Sequence, residues 1–283
     1  MATFSQSDFN SKNYGSCRPT YKTILFEKIY NYHRDHKCEF TTALDIATGT
    51  GQVAEPLSNV FHKVYATDPS QTMLNSATKK SNIEYSIASA ENLSNFANDS
   101  IDLITIAQAL HWVNVEKFFA EAYRVLKPNG TLAIWGYVYI IIRGYPKATQ
   151  MIEEWGTSKD KLATYWESGR RVVEDYYKGV KVPPNLFGKV KWEFYPTVKR
   201  QIEEDECVVE VKDPNMEATY TIDNLRMYLK TSSCYKNYMT KNPNSNDPVD
   251  ELIDQIKEVE GWKDDQLLNV VWPTIFILAS KRT

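Results

Sequence analysis

Between residues 41 and 137, short apolar runs rich in β-branched and aromatic side chains alternate with stretches whose apolar positions recur at helical spacing. The strand-like runs are Thr42–Ala47, Lys63–Thr67, Ile83–Ala88, Ile101–Ala107 and Thr131–Tyr137. Helical patterns occupy Gln52–Val60, Gln71–Lys80 with Ser70 as N-cap, and Glu116–Leu126, where Phe118, Phe119, Ala122, Val125 and Leu126 share a face. Lys127-Pro128-Asn129-Gly130 stops the last helix and turns the chain into the next strand. This alternation predicts βαβ units and a parallel sheet.

After Tyr137 the pattern changes. A long segment rich in Tyr, Trp, Lys and Glu follows, helical in period and closed by Pro183-Pro184. Strand-like runs return at Val190–Tyr195 and Val270–Leu278, and Ile222–Met239 and Pro248–Glu260 read as helices between them. The expectation is an α/β fold with one doubly wound sheet, whose C-terminal half carries helical insertions folding as a cap over the ligand end of the strands.

Composition narrows the function classes. With 7 Trp, 18 Tyr and 11 Phe the chain is too aromatic for disorder. Its 33 basic and 36 acidic residues are spread evenly, which gives no reason to expect a nucleic-acid partner. The longest uncharged apolar stretch, Leu132–Ile142, has 11 residues, about half the length of a membrane-spanning helix, so no integral membrane association is expected. The N-terminal residues lack the apolar core of a signal peptide, and Cys17, Cys38, Cys207 and Cys234 have no metal-finger spacing. Reduced cysteines and a cytoplasmic location are therefore expected. His33, His36 and Cys38 sit in a polar run that reads as a solvated loop, with no metal site.

The strongest chemical signal is ALDIATGTGQVAEPL, a buried strand that ends in Asp45, passes Gly49-x-Gly51 and opens a helix. Such a unit brings backbone N–H groups and a helix N-terminus against a ligand. Gly49-x-Gly51-x-x-Ala54, with Asp68 nineteen residues after Gly49, also fits the dinucleotide fingerprint, so a nicotinamide-dependent oxidoreductase is an alternative. Asp45 favours another ligand. An acid four residues before the first glycine opposes a pyrophosphate but suits a cation, and S-adenosylmethionine carries an ammonium and a sulfonium without a phosphate. Asp68, at the end of the second strand, is placed to accept both ribose hydroxyls of either cofactor.

The segments D-I-A-T-G-T-G, Y-A-T-D-P-S-x-x-M-L, A-S-A-E-N-L, A-Q-A-L-H-W and L-K-P-N-G-T-L-A-I-W-G-Y occur in that order over residues 41–137. Together they resemble the class I S-adenosylmethionine-dependent methyltransferases. F-N-S-K-N-Y-G-S-C-R-P-T-Y, T-Y-W-E-S-G-R and V-V-W-P-T-I-F look closer still to the fungal branch that contains trans-aconitate 3-methyltransferase. The resemblance implies a Rossmann-like, mostly parallel seven-stranded sheet. It divides the chain into an N-terminal cover of the cofactor site (1–40), a cofactor-binding core (41–137), a helical cap (138–188), and C-terminal strands with a second helical insertion (189–283).

The same resemblance implies that Ala47, Gly49 and Gly51 line the methionyl part of S-adenosylmethionine beside Asp45. Asp68 would take the ribose, Met73, Ala90 and Glu91 the adenine, and Gln108 the neighbourhood of the sulfonium, with Tyr14 and Arg18 closing over the methionine moiety. The implied activity is methyl transfer to a small molecule with release of S-adenosylhomocysteine. The acceptor is read as a small carboxylic acid; another small-molecule or lipid acceptor, or a non-catalytic cofactor-binding protein, are the alternatives. His111 and Trp112, on a loop at the carboxyl edge of the sheet, are candidates for the acceptor pocket, His111 also as a base. Tyr137, Arg143, Tyr165, Trp166, Arg170 and Arg171 are the residues with which the cap would grip a carboxylate and exclude water.

Overall fold

Two apolar strands, β1 (Thr42–Ile46) and β4 (Ile101–Ala107), lie side by side and parallel, buried along nearly all their length. In the computed structural model, which describes residues 15, 17–195, 197–202, 205–211 and 215–283, they form the centre of a seven-stranded sheet. Its other members are β2 (Lys63–Asp68), β3 (Ile83–Ile87), β5 (Leu126–Tyr137), β7 (Phe187–Tyr195) and β12 (Thr274–Lys281), and the order is β3-β2-β1-β4-β5-β12-β7. The first five strands run parallel, and β12 inserts antiparallel between β5 and β7. The expected doubly wound sheet is thus present. The order reverses between β1 and β4, where a crevice opens at the carboxyl ends of the strands.

Strand side chains alternate between the two faces. On β5 and β12, Leu132, Ile134, Ile275 and Ile277 pack with Phe118, Phe119 and Ala122 of α4 (Val115–Val125). Ala133, Trp135, Phe276 and Leu278 face Leu25, Phe26 and Ile29 of α1 (Thr23–Asp35) on the other side. The insertions build a second core, in which Ile152 and Trp155 of α5 (Pro146–Thr157) meet Leu225 and Leu229 of α7 (Ile222–Lys230) and Ile253 and Ile256 of α9 (Pro248–Glu260). Beside it lies a small sheet, β10 (Glu217–Thr221), β11 (Leu267–Val271) and β6 (Ile141–Ile142).

Several elements differ from the sequence reading. The helices after β1 and β2 are short, α2 (Ala54–Leu57) and α3 (Gln71–Asn75). Pro56 offers no N–H to α2, and Ser76 and Ala77 close α3 by bonding back to Met73 and Leu74 at 3.0 and 3.2 Å. The run 270–278 is two strands in two sheets, because Pro273 has no ladder donor. The run 222–239 is two helices, α7 and α8 (Ser233–Lys241), since the Ser232 hydroxyl caps a new start by accepting from Tyr235 N. The Lys127–Gly130 turn lies within β5 with Asn129 at φ 63°. A hairpin of β8 (Thr197–Ile202) and β9 (Asp205–Val211) was not foreseen.

The polar run around His33 is the end of α1 rather than a solvated loop. His33 is buried, with Nδ1 2.8 Å from Thr131 Oγ1 and Nε2 2.8 Å from the Glu39 carbonyl. Burial lowers its pKa, so the ring is neutral and joins α1 to β5.

Candidate active site

Asp45 stands at the carboxyl end of β1, 1% exposed. Its two oxygens accept from Thr48 Oγ1 at 2.5 Å and Thr105 Oγ1 at 2.7 Å. Those hydroxyls do not offset the loss of water, and burial pushes its carboxyl pKa up to about 7. A buried acid in this state calls for a cation. The turn that follows holds three residues with positive φ in succession along one bend, Ala47 at 53°, Gly49 at 58° and Gly51 at 87°. For Ala47 this conformation is costly, a strain that concentrates where backbone must meet a ligand.

Asp68 ends β2 and is fixed by backbone. Its Oδ2 accepts from Gly49 N at 2.9 Å and its Oδ1 from Ser70 N at 2.8 Å, so each oxygen keeps a further lone pair for a ligand hydroxyl. A Cβ on Gly49 would come within 3.3 Å of Met73 Cε, so the bare turn lets Met73 close that wall. Ala90 is buried beside Glu91, whose Oε1 accepts from Asn114 N at 2.7 Å. Gln108, at φ 52°, bonds both backbone groups of Tyr137, donating to its carbonyl at 3.0 Å and accepting from its N–H at 2.6 Å.

These residues line a cavity of about 260 Å³, more than ten times the space one water needs. Arg18, His111, Trp112, Tyr137 and Arg170 line it as well, with Tyr139, Ile152, Trp155, Trp166 and Ser233. Arg18 donates to Tyr137 Oη at 3.2 Å and to the Thr231 carbonyl at 3.0 Å, and lies over the Tyr228 ring. Arg170 opens α6 (Arg170–Glu174). Its guanidinium lies against the rings of Tyr139 and Trp166, 4.7 and 4.5 Å from their centroids, and Nε donates to Glu174 Oε1 at 2.9 Å. Gly169 permits this placement, because a Cβ there would meet the His111 carbonyl oxygen at 2.0 Å. The cavity wall therefore carries both signs of charge, Asp45, Asp68 and Glu91 as well as Arg18 and Arg170.

Of the residues singled out from sequence, Asp45, Ala47, Gly49, Asp68, Met73, Ala90, Glu91, Gln108, Arg18, His111, Trp112, Tyr137, Trp166 and Arg170 meet at this cavity. Tyr14 lies outside the described residues. Gly51 stands behind the turn, where a Cβ would meet Tyr85 Oη at 2.6 Å. Arg143 pairs with Glu217 at 3.2 Å in a separate surface depression, Tyr165 packs edge-on to Tyr238, and Arg171 is exposed. His111 departs from the expected near-neutral base. Its Nδ1 is 3.0 Å from Tyr177 Oη, and burial, with the charges of Arg170 and Arg18, lowers its pKa to about 3. Tyr139, Ile152 and Trp155 were missed in sequence. Tyr139 and Trp155 carried a signal, as large aromatics inside the cap.

Comparison with known proteins follows the same line. Residues 44–134 match the methyltransferase domain family. CRG1 of Saccharomyces cerevisiae, described as an S-adenosylmethionine-dependent methyltransferase, is 27% identical over 99% of this chain and 98% of its own length. A Dictyostelium discoideum protein described as a methyltransferase is 37% identical over 60% of this chain and 63% of its own. A solved structure from Anaeromyxobacter dehalogenans, described as a type II methyltransferase, shares the fold with a TM-score of 0.67 at 23% identity, covering 92% of this chain and 97% of that one. The chain is an S-adenosylmethionine-dependent methyltransferase with the class I, Rossmann-like fold.

Proposed function

We propose that this enzyme O-methylates a small carboxylic acid, with S-adenosylmethionine held along the carboxyl ends of β1, β2 and β4. The observation that carries the acceptor class is Arg170, a guanidinium packed against two aromatic rings and held through Nε by Glu174 in the cavity wall. Held that way it presents a fixed charge to a carboxylate, and the rings keep water from it.

When bound, the cofactor supplies a methyl group on a sulfonium, already activated for transfer. Asp45 would pair with its cationic methionyl end, Asp68 would accept the ribose hydroxyls, and Met73, Ala90 and Glu91 would enclose the adenine. Arg18 would close over the methionine moiety. The protein contributes position and alignment of the two reactants. A carboxylate, ionised above a pKa of about 4, needs no general base. His111, held neutral and weakly basic with a pKa near 3, is poorly suited to deprotonate a hydroxyl, which favours an acceptor that arrives ionised.

Arg170→Ala is expected to raise the acceptor KM at least tenfold while leaving the cofactor KM within about twofold, since a charge-assisted contact is lost on one substrate only. Release of S-adenosylhomocysteine from a panel of small carboxylic acids, phenols and amines measures both constants. An unchanged acceptor KM, or methylation of uncharged acceptors alone, would overturn the reading.

Cofactor affinity is expected to rise between about pH 5.5 and 8. The cation pairs with ionised Asp45, and the ligand-free protein keeps that carboxyl protonated below about 7. Calorimetry in two buffers of different ionisation enthalpy should show protons released on binding S-adenosylhomocysteine near pH 6. Uptake of protons, or none exchanged, would contradict the pairing.

A further inference from the structure

The walls of the cap side of the cavity are more selective than a binding site for any carboxylate would require. Its polar groups are mostly committed to the protein itself. Trp166 Nε1 donates to the Gly156 carbonyl at 2.7 Å and Trp155 Nε1 to the Pro248 carbonyl at 3.2 Å, so both indoles offer the cavity apolar surface. The Tyr139 hydroxyl is bonded to Glu174, and Tyr228 Oη accepts from Trp272 Nε1 at 3.0 Å. Ile140, Ile152 and Leu229 add aliphatic wall.

Ser233 differs. It is 2% exposed, lines the cavity, and its hydroxyl has no hydrogen-bond partner among the described residues. A buried hydroxyl without a partner is costly, and such a group at a cavity wall fits a ligand atom that completes it. Ser233 is also the first residue of α8, whose nine residues direct the positive end of the helix dipole toward the same place. Arg170 lines the same cavity as Ser233, and Arg18, which lines it too, is bonded to the Thr231 carbonyl two residues before Ser233.

We propose that the acceptor is an amphiphilic monocarboxylate, with its carboxylate received between Arg170 and the N-terminus of α8, where Ser233 donates, and its apolar body laid against Ile152, Trp155 and Trp166. This rests on the carboxylate reading above and narrows it. With Arg18 assigned to the methionine moiety, the largely buried Arg170 and one hydroxyl match a single carboxylate, and the remaining wall repels further ionised groups by denying them water. In the transfer a carboxylate oxygen forms the new O–C bond as the S–C bond breaks. The bonding pair stays on sulfur, no proton moves, and carboxylate plus sulfonium become neutral ester plus thioether.

The test uses the full-length enzyme with S-adenosylmethionine and compares octanoate, decanoate and cinnamate with succinate, citrate and trans-aconitate, alongside a phenol and a primary amine. Monocarboxylates are expected to exceed the polycarboxylates in kcat/KM by at least a hundredfold. Ser233→Ala should raise the monocarboxylate KM about tenfold with the cofactor KM unchanged. Ser233→Asp should abolish turnover while retaining S-adenosylhomocysteine binding, which shows that the variant is folded. Preference for the polycarboxylates, or an unaltered KM in Ser233→Ala, overturns this proposal and leaves the carboxylate reading standing. Methylation of the phenol or amine with no carboxylate turned over overturns both.

Discussion

Asp45→Asn is expected to weaken S-adenosylhomocysteine binding by about a hundredfold to a few thousandfold at pH 7.5 and to leave the fold intact. Removing one partner of a buried ionic contact costs roughly 3–5 kcal/mol, and each 1.4 kcal/mol is about tenfold in affinity. The fold survives because an amide satisfies the same neighbours: its oxygen accepts from one of Thr48 and Thr105, and its nitrogen donates to the other hydroxyl. The ligand-free variant should also be more stable than the parent in mild alkali. With its pKa raised in the folded state, Asp45 gives its full contribution to stability below an unfolded value near 3.8 and loses it as pH rises through about 7. Asparagine has no such loss, so the difference in melting temperature between variant and parent should widen from pH 5 to pH 8. Calorimetry and thermal melts check both halves, and wild-type affinity in Asp45→Asn would remove this carboxylate from the cofactor site.

Gly51→Val should break the turn itself. The residue holds φ at 87°, which a β-branched side chain does not tolerate, and its Cβ would stand 2.6 Å from Tyr85 Oη. Tyr85 cannot easily retreat, because its hydroxyl donates to the Thr78 carbonyl at 2.7 Å. Overpacking and backbone strain together amount to about 2–6 kcal/mol, enough to lower the melting temperature by roughly 5–15 °C and to displace Gly49 from Asp68. Adding Tyr85→Phe removes the atom in collision but leaves the φ strain, so it should restore part of the stability and little of the cofactor binding. Full recovery in the double variant would mean that the conformation of Gly51 is unimportant.

Gly51 also shows how far sequence reasoning reaches. The motif marked it as essential, yet the reason is the ring of Tyr85 on β3 and the sign of φ rather than space for a ligand. Local signals were legible wherever chemistry and secondary structure coincide: β1 ending in Asp45, β2 ending in Asp68, and the glycines between them lie within one βαβ unit. The cap was not legible to the same degree. Arg18 bonds the Thr231 carbonyl 213 residues away, and His111 meets Tyr177 across 66. No periodicity carries such pairings. The lowered pKa of His111 has the same origin, since burial and two arginines act on a ring whose own neighbours in the chain gave no sign of them. Among Arg143, Arg170 and Arg171 the sequence favours Arg170 only through its place in T-Y-W-E-S-G-R, and packing against Tyr139 and Trp166 is what sets it apart in the fold.

Titration of the purified protein with S-adenosylhomocysteine, with NAD as the control, measures most directly whether the crevice between β1 and β4 is built for a nucleoside that bears an ammonium group. One saturable site per chain for S-adenosylhomocysteine, lost in Asp45→Asn and absent for NAD, is the predicted result. Saturable binding of NAD with no heat from S-adenosylhomocysteine would contradict it.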